Sequence, residues 1–275
     1  MSAPLAPDVG GRALTAEPGP MERRLRAARD DGRKLLVPYV TGGLGPWTEL
    51  IRAVADAGAD AVEVGIPFSD PAMDGPVIQE ASVRALATGT TPGTVFAGLR
   101  GVDAGVPLVA MTYYNLAFHM GEARFAGEMA DAGFSGIVLP DVPMEEQGPW
   151  RAAADPAGIE TVLMAGPITP DVRLAAVCAQ SRGYVYGVNL MGVTGERESL
   201  GEGAAVLARR LKAATDKPVL MGFGVSTPAQ AAEVASVADG VIVGTAVVRR
   251  VLDGAGPDDL HAYVSSLRAA LDATP

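Results

Sequence analysis

The feature that most constrains the fold is a regular alternation of short apolar segments with amphipathic segments, repeated about eight times along the chain. Each apolar segment is bounded by Gly, Pro or Asp and carries few charges, which is typical of a buried strand. The predicted strands are 35–41, 61–66, 107–113, 136–140, 161–165, 184–188, 218–224 and 240–244. Most are apolar at every position, as expected of parallel strands that are covered by helices.

Amphipathic helices are predicted between these strands, at 47–57, from residue 77, and at 121–132, 144–154, 170–179, 202–214, 227–236 and 246–252. Eight such units in 275 residues indicate an α/β protein with the TIM (β/α)8 barrel fold. An open, doubly wound sheet is the alternative, but no Gly-rich fingerprint follows the first strand. Further helices are predicted at 20–31, an extra N-terminal helix, and at 258–272.

The two ends of the chain differ in composition. Residues 1–19 mix Pro, Gly and Ala without a basic start or a continuous apolar stretch, and are interpreted as a flexible leader rather than a signal peptide. Residues 20–275 are predicted to form a single barrel domain. No apolar run approaches the roughly 20 residues that span a bilayer, so no membrane association is expected.

Charge and cysteine content narrow the partners and the location. The net charge of −10 argues against nucleic acid as a partner, and an anionic substrate must be captured locally. The one cysteine, Cys178, excludes an internal disulfide and fits the reducing cytoplasm. It lies on the apolar face of a predicted helix and is interpreted as a packing residue.

Glu63 interrupts an otherwise uncharged predicted strand. A carboxylate there points into the barrel or its mouth, and burial without a cationic partner raises its pKa, which is how a general acid arises. A structural ion pair is the alternative. The loop at 67–76 carries Asp70 and Asp74 among turn-forming residues, as expected of a shaped loop over the barrel mouth. The alternative is that both aspartates only cap turns or the next helix.

Glycines follow each of the last three predicted strands, at 192–195, 222–225 and 244–245. At these places backbone N–H groups and helix N-termini can face an anion, so the pattern predicts a phosphate site. It does not specify a reaction.

Other chemistries are disfavoured by residue placement. The lysines are Lys34, Lys212 and Lys217, two before strands and one in a helix, so a Schiff base at the mouth is not expected. With only His119 and His261, no metal site built on several histidines is predicted.

The segment VEVGIPFSDPAMDGPVIQ at 62–79 resembles the signature of the tryptophan synthase alpha chain family. The segments LPDVP (139–143), GYVY (183–186), GVTG (192–195) and GFGV (222–225) are similar to other parts of that family and occur in the same order. The resemblance covers roughly residues 20–252. It implies a cytoplasmic lyase of tryptophan biosynthesis, which splits indole-3-glycerol phosphate into indole and glyceraldehyde 3-phosphate.

On this resemblance Glu63 matches the acid/base glutamate and Asp74 the aspartate at the indole nitrogen. Tyr186 matches a tyrosine near the glutamate, and Thr194 a threonine of the lid loop. Substrate or phosphate contacts are implied for Tyr39, Tyr113, Tyr186, Thr194, Gly195, Gly224, Gly244 and Thr245.

The resemblance also implies a partner, the tryptophan synthase beta chain, in an α2β2 heterotetramer, with Asp70 and Pro71 at the interface. Pyridoxal phosphate is then expected only in the beta chain, with no cofactor in this one. Three alternatives stay open: a stand-alone lyase that releases indole, a non-catalytic barrel that activates a beta-like partner, and another phosphate-binding barrel such as a phosphosugar isomerase.

Overall fold

Eight parallel strands pair in chain order and close on themselves as a barrel in the computed structural model, which describes residues 17–188, 202–222 and 224–274. The strands are β1 Leu35–Thr41, β2 Val62–Gly65, β3 Leu108–Met111, β4 Phe134–Val138, β5 Glu160–Ala165, β6 Val185–Val188, β7 Val219–Gly222 and β8 Gly240–Val243. The barrel closes where β1 pairs with β8, with Leu35 opposite Gly240. The predicted TIM-barrel fold is confirmed.

Helices surround the barrel and cover its outer face. They are α1 Pro20–Asp30, α2 Trp47–Asp56, α3 Pro76–Ala87, α4 Pro92–Leu99, α5 Tyr114–Met120, α6 Glu122–Asp131, α7 Gly148–Ala154, α8 Asp171–Gln180, α9 Glu202–Ala214, α10 Pro228–Ala235, α11 Thr245–Leu252 and α12 Pro257–Asp272. A 3-10 turn at Met144–Glu146 precedes α7. The extra N-terminal helix is confirmed as α1.

Two helices were not expected from the sequence. Helix α4 contains two glycines in eight residues, and α5 has only seven residues. Elements this short give too few turns for an apolar period to be recognised. Helix α4 instead begins at a capping box, in which the Thr91 and Thr94 side chains each bond the other's backbone N–H.

Helix α1 closes the N-terminal end of the barrel. Met21 and Leu25 are buried beneath the strands and join the cluster of side chains that fills the barrel interior. The Glu160 carboxylate, at the start of β5, accepts hydrogen bonds from the backbone N–H groups of Met21 and Glu22 at 2.7 and 3.2 Å. A carboxylate in this position satisfies the free donors of the first helical turn. Helix α1 therefore covers the N-terminal end of the barrel, whereas the chemistry of a TIM barrel lies at the C-terminal ends of its strands.

The sequence also makes predictions for Cys178, for membrane-spanning helices and for the N-terminal segment. Cys178 is buried, and burial raises the pKa of its thiol to about 11, so it is a packing residue. No helix in the described part of the chain is long and apolar enough to cross a membrane. Residues 1–16 lie outside the described residues, so the leader and the domain boundary at residue 19 stay predictions.

Candidate active site

Glu63 lies in the barrel interior, on β2, and is 1% exposed. Its neighbours in the sheet are Tyr39 on β1 and Val109 on β3. The hydroxyl of Tyr184, which directly precedes β6, crosses the barrel and donates a hydrogen bond to Glu63 Oε1 at 2.7 Å. No ion pair to Glu63 occurs among the residues that the structure describes. The structural ion pair considered from the sequence is thus absent from this part of the chain.

Burial sets the protonation behaviour of Glu63. Loss of solvation raises the pKa of its carboxyl from 4.5 to about 7, and the hydrogen bond from Tyr184 partly opposes this rise. A carboxyl with a pKa near 7 holds and releases a proton with equal ease at neutral pH. Glu63 can therefore act as a general acid and then as a base in one reaction cycle.

Tyr184 is a site residue that the sequence reasoning missed. It is fully buried and lies two residues before Tyr186, so both side chains point into the barrel. The period of two in GYVY was the available signal. Tyr186 is also buried and packs against Gly222 of β7, where a Cβ atom would lie 2.5 Å from the tyrosine ring. Only glycine at 222 leaves room for this ring.

Asp74 is half-buried in the loop between β2 and α3. The Tyr113 hydroxyl accepts a hydrogen bond from the backbone N–H of Met73 at 2.9 Å, and the Tyr113 ring stacks on Phe68 with centroids 5.1 Å apart. These contacts hold the loop against the end of β3. The N-cap of α3 is Gly75 and carries no side-chain cap, so Asp74 is not a helix cap.

The Asp74 carboxyl is also perturbed. Burial raises its pKa from 3.8 to about 6, opposed by a hydrogen bond with Tyr113. Both carboxylates act on the same two tyrosines: beyond burial, Glu63 and Asp74 each contribute to the raised pKa values of Tyr39 and Tyr186. Two carboxyl groups with raised pKa values therefore lie close to the same two buried tyrosines.

Tyr39 lies close to both carboxylates. It is buried on β1, and its hydroxyl lies against Gly65, where a Cβ atom would be 1.7 Å away. The strand therefore needs glycine at residue 65. Of the tyrosines predicted at the site, Tyr39, Tyr113 and Tyr186 are all brought together around the two carboxylates.

The predicted phosphate contacts lie on two neighbouring elements. Gly224 follows β7 with φ +71°, a left-handed conformation that favours glycine. Gly244 follows β8 and is the N-cap of α11, whose first turn begins at the exposed Thr245 and has no side-chain cap. Its free N–H groups are suited to an anion. Thr194 and Gly195 lie outside the described residues.

The loop rim carries the predicted partner residues. Asp70 is exposed and Pro71 half-buried, both on the segment that leads to Asp74. A protein bound to this rim would touch the same loop that carries the aspartate.

Two of the three lysines, Lys212 and Lys217, are held in contacts away from the candidate site. Lys212 Nζ pairs with Asp239 at 2.6 Å, and Lys217 Nζ donates to the Ser181 carbonyl at 2.6 Å, near the N-terminal ends of the strands. His119 and His261 are both exposed on helices. Within the described ranges, no three His, Cys, Asp or Glu side chains are grouped so that they could hold a metal ion.

Comparison with known proteins agrees with this geometry. Residues 25–269 match the family model described as tryptophan synthase alpha chain. The tryptophan synthase alpha chain of Thermobifida fusca is 46% identical over 260 residues, covering 92% of this chain and 96% of the relative. That of Streptomyces coelicolor is 48% identical over 240 residues, covering 86% and 88%.

Solved structures give the same result. A chain of Mycobacterium tuberculosis tryptophan synthase superposes with a TM-score of 0.86 at 36% identity, covering 93% of this chain and 99% of the other. Tryptophan synthase subunit alpha from Legionella pneumophila gives a TM-score of 0.82 at 31% identity, covering 92% and 98%. By its sequence, its fold and its relatives, the chain belongs to the tryptophan synthase alpha chain family.

Proposed function

We propose that this chain is a lyase that cleaves indole-3-glycerol phosphate into indole and glyceraldehyde 3-phosphate, the reaction of its family. The observation that carries the proposal is the pair of carboxyl groups, Glu63 and Asp74, whose pKa values burial raises to about 7 and about 6 beside the same buried tyrosines. The reaction needs proton transfer at two places on the substrate, and groups titrating near neutral pH perform it best.

Glu63 transfers protons at indole C3 and at the adjacent glycerol hydroxyl. In its protonated form it donates a proton to indole C3, which makes the ring an indoleninium cation. The bond between C3 and the glycerol chain then breaks, and its electron pair returns to the ring. The adjacent glycerol hydroxyl loses its proton to Glu63 and becomes the aldehyde. The proton given and the proton taken balance, so the carboxyl returns to its starting state.

Asp74 serves the indole nitrogen. Protonation at C3 places positive charge on that nitrogen, and a nearby carboxylate stabilises the charge in a site from which water is largely excluded. Asp74 also accepts the N–H proton transiently. Its attachment to the wall through Met73 and Tyr113 keeps it from moving away as the charge develops.

The phosphate of the substrate binds at the other side of the mouth. Gly224, Gly244 and Thr245 supply backbone donors there, with the N-terminus of α11 adding its dipole. Tyr39, Tyr113 and Tyr186 surround the indole and glycerol portions. Thr194 and Gly195 complete the site as lid and phosphate residues.

A tryptophan synthase beta chain is the proposed partner, in an α2β2 assembly with Asp70 and Pro71 at the contact. Indole would pass to that subunit, and pyridoxal phosphate would be bound there, in the cytoplasm. The rim position of residue 70 supports this, since it is exposed four residues from Asp74.

The activity is tested by incubating the purified chain with indole-3-glycerol phosphate, with and without a tryptophan synthase beta chain, and measuring both products. The proposal expects indole and glyceraldehyde 3-phosphate in equal amounts, and Asp74→Asn with most of the rate lost. A stand-alone lyase would show full speed without the beta chain, while a non-catalytic activator would release nothing in either condition. Turnover only of phosphosugars without an indole ring would replace the proposal with an isomerase.

A further inference from the structure

A stacked pair of side chains lies outside the barrel, behind the candidate phosphate site. The guanidinium of Arg250, on α11, sits over the ring of Tyr263, on α12, with 3.5 Å between its central carbon and the ring centroid. Both side chains are half-buried. A guanidinium this close to the face of an aromatic ring is held by cation–π attraction, which restrains both side chains.

Tyr263 connects this pair to the loop after β7. Its hydroxyl donates a hydrogen bond to the carbonyl of Ser226 at 3.0 Å. Ser226 is two residues beyond Gly224, one of the proposed phosphate contacts. The backbone N–H of Ser226 bonds Gln230 Oε1 at 2.8 Å, so the residue is held from both sides. The hydroxyl of Tyr263 therefore helps to hold the β7–α10 loop, which carries Gly224, in position.

Arg250 connects the pair to the first turn of α11, which follows Gly244. Its Nη1 donates a hydrogen bond to the carbonyl of Ala246 at 2.9 Å. Ala246 belongs to the first turn of α11, directly after Gly244 and Thr245. The guanidinium thus contacts the first turn of α11 through the Ala246 carbonyl while it lies over the Tyr263 ring.

The proposed phosphate contacts are backbone N–H groups, so the affinity for phosphate depends on the position of the backbone. The chain carries a net charge of −10, and two of its lysines are held at the opposite end of the barrel. A lysine could follow a displaced phosphate, but backbone N–H groups cannot reorient on their own, and hydrogen bonds weaken steeply with distance and angle. A small change in the distance between the β7–α10 loop and the first turn of α11 would therefore weaken phosphate binding.

We propose that the Arg250–Tyr263 pair is a brace that sets the spacing between the β7–α10 loop and the first turn of α11, and thereby the affinity for the substrate phosphate. Both are positioning residues, acting through Ser226 and Ala246, and neither touches substrate. The inference rests on the phosphate site of the proposed function. It assigns to the outer helix α12 a role in substrate affinity beyond covering the barrel.

The test removes each half of the brace with a small change. Tyr263→Phe deletes only the hydroxyl that bonds Ser226 and keeps the ring, whereas Arg250→Gln deletes the guanidinium. Loss of one such hydrogen bond corresponds to about a threefold to tenfold loss of affinity. Each variant is expected to raise the KM for indole-3-glycerol phosphate by about that factor, while kcat changes by less than about twofold. Because the two side chains act as one unit, the double variant should lose less than the product of the single losses.

Binding of glycerol 3-phosphate, followed by calorimetry, provides a readout that needs no turnover. Its Kd should rise by the same factor as KM, and the midpoint of thermal unfolding without ligand should fall by no more than a few °C, since each deleted contact contributes about 1 kcal/mol to the unliganded fold. Arg249→Gln is the matched control, since Arg249 is adjacent, on the same helix, and pairs with Glu80 rather than with Tyr263. This control should keep its affinity for glycerol 3-phosphate.

Two results would overturn the brace. One is an unchanged Kd for glycerol 3-phosphate in both variants; the other is a fall in kcat or thermal stability with the affinity intact. If the unaltered chain binds glycerol 3-phosphate but does not cleave the indole substrate, the lyase proposal fails while the brace is still judged by Kd. If the unaltered chain does not bind glycerol 3-phosphate at all, the brace is contradicted.

Discussion

At the scale of single residues, the site is built on an energetically unfavourable choice. Glu63 lies among apolar and aromatic side chains of the barrel interior, where ionising a carboxyl is unfavourable, and its partner is the neutral hydroxyl of Tyr184. Because no cation compensates it among the described residues, the carboxyl prefers to be protonated. The same preference for the protonated form means that the folded protein loses stability when Glu63 ionises.

This cost predicts a pH-dependent gain in stability for Glu63→Gln. Folding raises the pKa of Glu63 from 4.5 to about 7, so its contribution to stability is full below pH 4.5 and is lost as pH rises through 7. Each pH unit between the two values corresponds to about 1.4 kcal/mol. The variant should match the unaltered protein at pH 4.5 and exceed it by roughly 3 kcal/mol at pH 8, measured by urea unfolding. An equal difference at both pH values would contradict the buried, uncompensated carboxyl.

Tyr184→Phe tests the hydrogen bond directly. That bond lowers the pKa of Glu63, so its removal should move the apparent pKa assigned to Glu63 in the profile of kcat/KM upward by several tenths of a pH unit or more. Asp74→Asn supplies the comparison, because a limb that survives in it belongs to Glu63. A profile unmoved by Tyr184→Phe would mean that the hydroxyl does not bear on proton transfer.

At the scale of elements, the two ends of the barrel have different tasks. The N-terminal end holds buried ion pairs that join strands to helices. Asp60, before β2, accepts a hydrogen bond from the Leu36 N–H at 2.8 Å, and pairs with Arg33 at 2.6 Å and with the buried Arg268 of α12 at 3.3 Å. The C-terminal end instead holds the perturbed carboxylates and tyrosines. Stability and chemistry are thus separated along the strands.

Asp60→Ala should therefore destabilise the fold without altering the site. It leaves the Leu36 N–H without this acceptor and removes one of the two carboxylates that pair with the buried Arg268, the other being Asp272 at 2.7 Å; the expected loss is about 2 to 3 kcal/mol. Asp216→Ala is the control, since Asp216 pairs with Arg26 while its side chain is 85% exposed, and such a pair contributes less than about 1 kcal/mol. Similar losses in both variants on urea unfolding would show that the buried network has no special weight.

The sequence predicted the strands well because each is a short apolar run between turn residues, a pattern typical of buried strands. It missed α4 and α5, which are held by local capping and by packing rather than by an apolar period. Glu63 was identified because charge is rare in buried strands, whereas Asp74 was assigned through the resemblance of residues 62–79 to the family signature. Tyr184 was not, because its partner follows from strand register and barrel closure, which composition does not encode.

At the scale of the whole molecule, charge opposes the proposed substrate. A net charge of −10 repels a phosphate ester at distance, and attraction begins only at the N–H groups of the mouth. Salt screens the long-range part, with a Debye length of about 30 Å at 0.01 M and about 8 Å at 0.15 M. The overall field and the local site therefore act in opposite directions on the same anion.

The value of kcat/KM for indole-3-glycerol phosphate should accordingly rise between 0.01 and 0.15 M sodium chloride, where most active sites that bind anions through basic residues lose rate. Neutral indole, used in the reverse reaction, provides the control and should show little change in KM. A fall in kcat/KM with salt would mean that the local field at the mouth is positive and long-ranged.

The most direct test of the central claim is the rate of indole release from indole-3-glycerol phosphate, measured with and without a tryptophan synthase beta chain, for the unaltered protein and for Glu63→Gln. The account predicts slow release alone, a sharp rise with the beta chain, and no detectable release by the variant in either condition, although it folds and binds glycerol 3-phosphate. Near-normal release by Glu63→Gln would contradict the assignment of acid/base catalysis to this buried carboxyl.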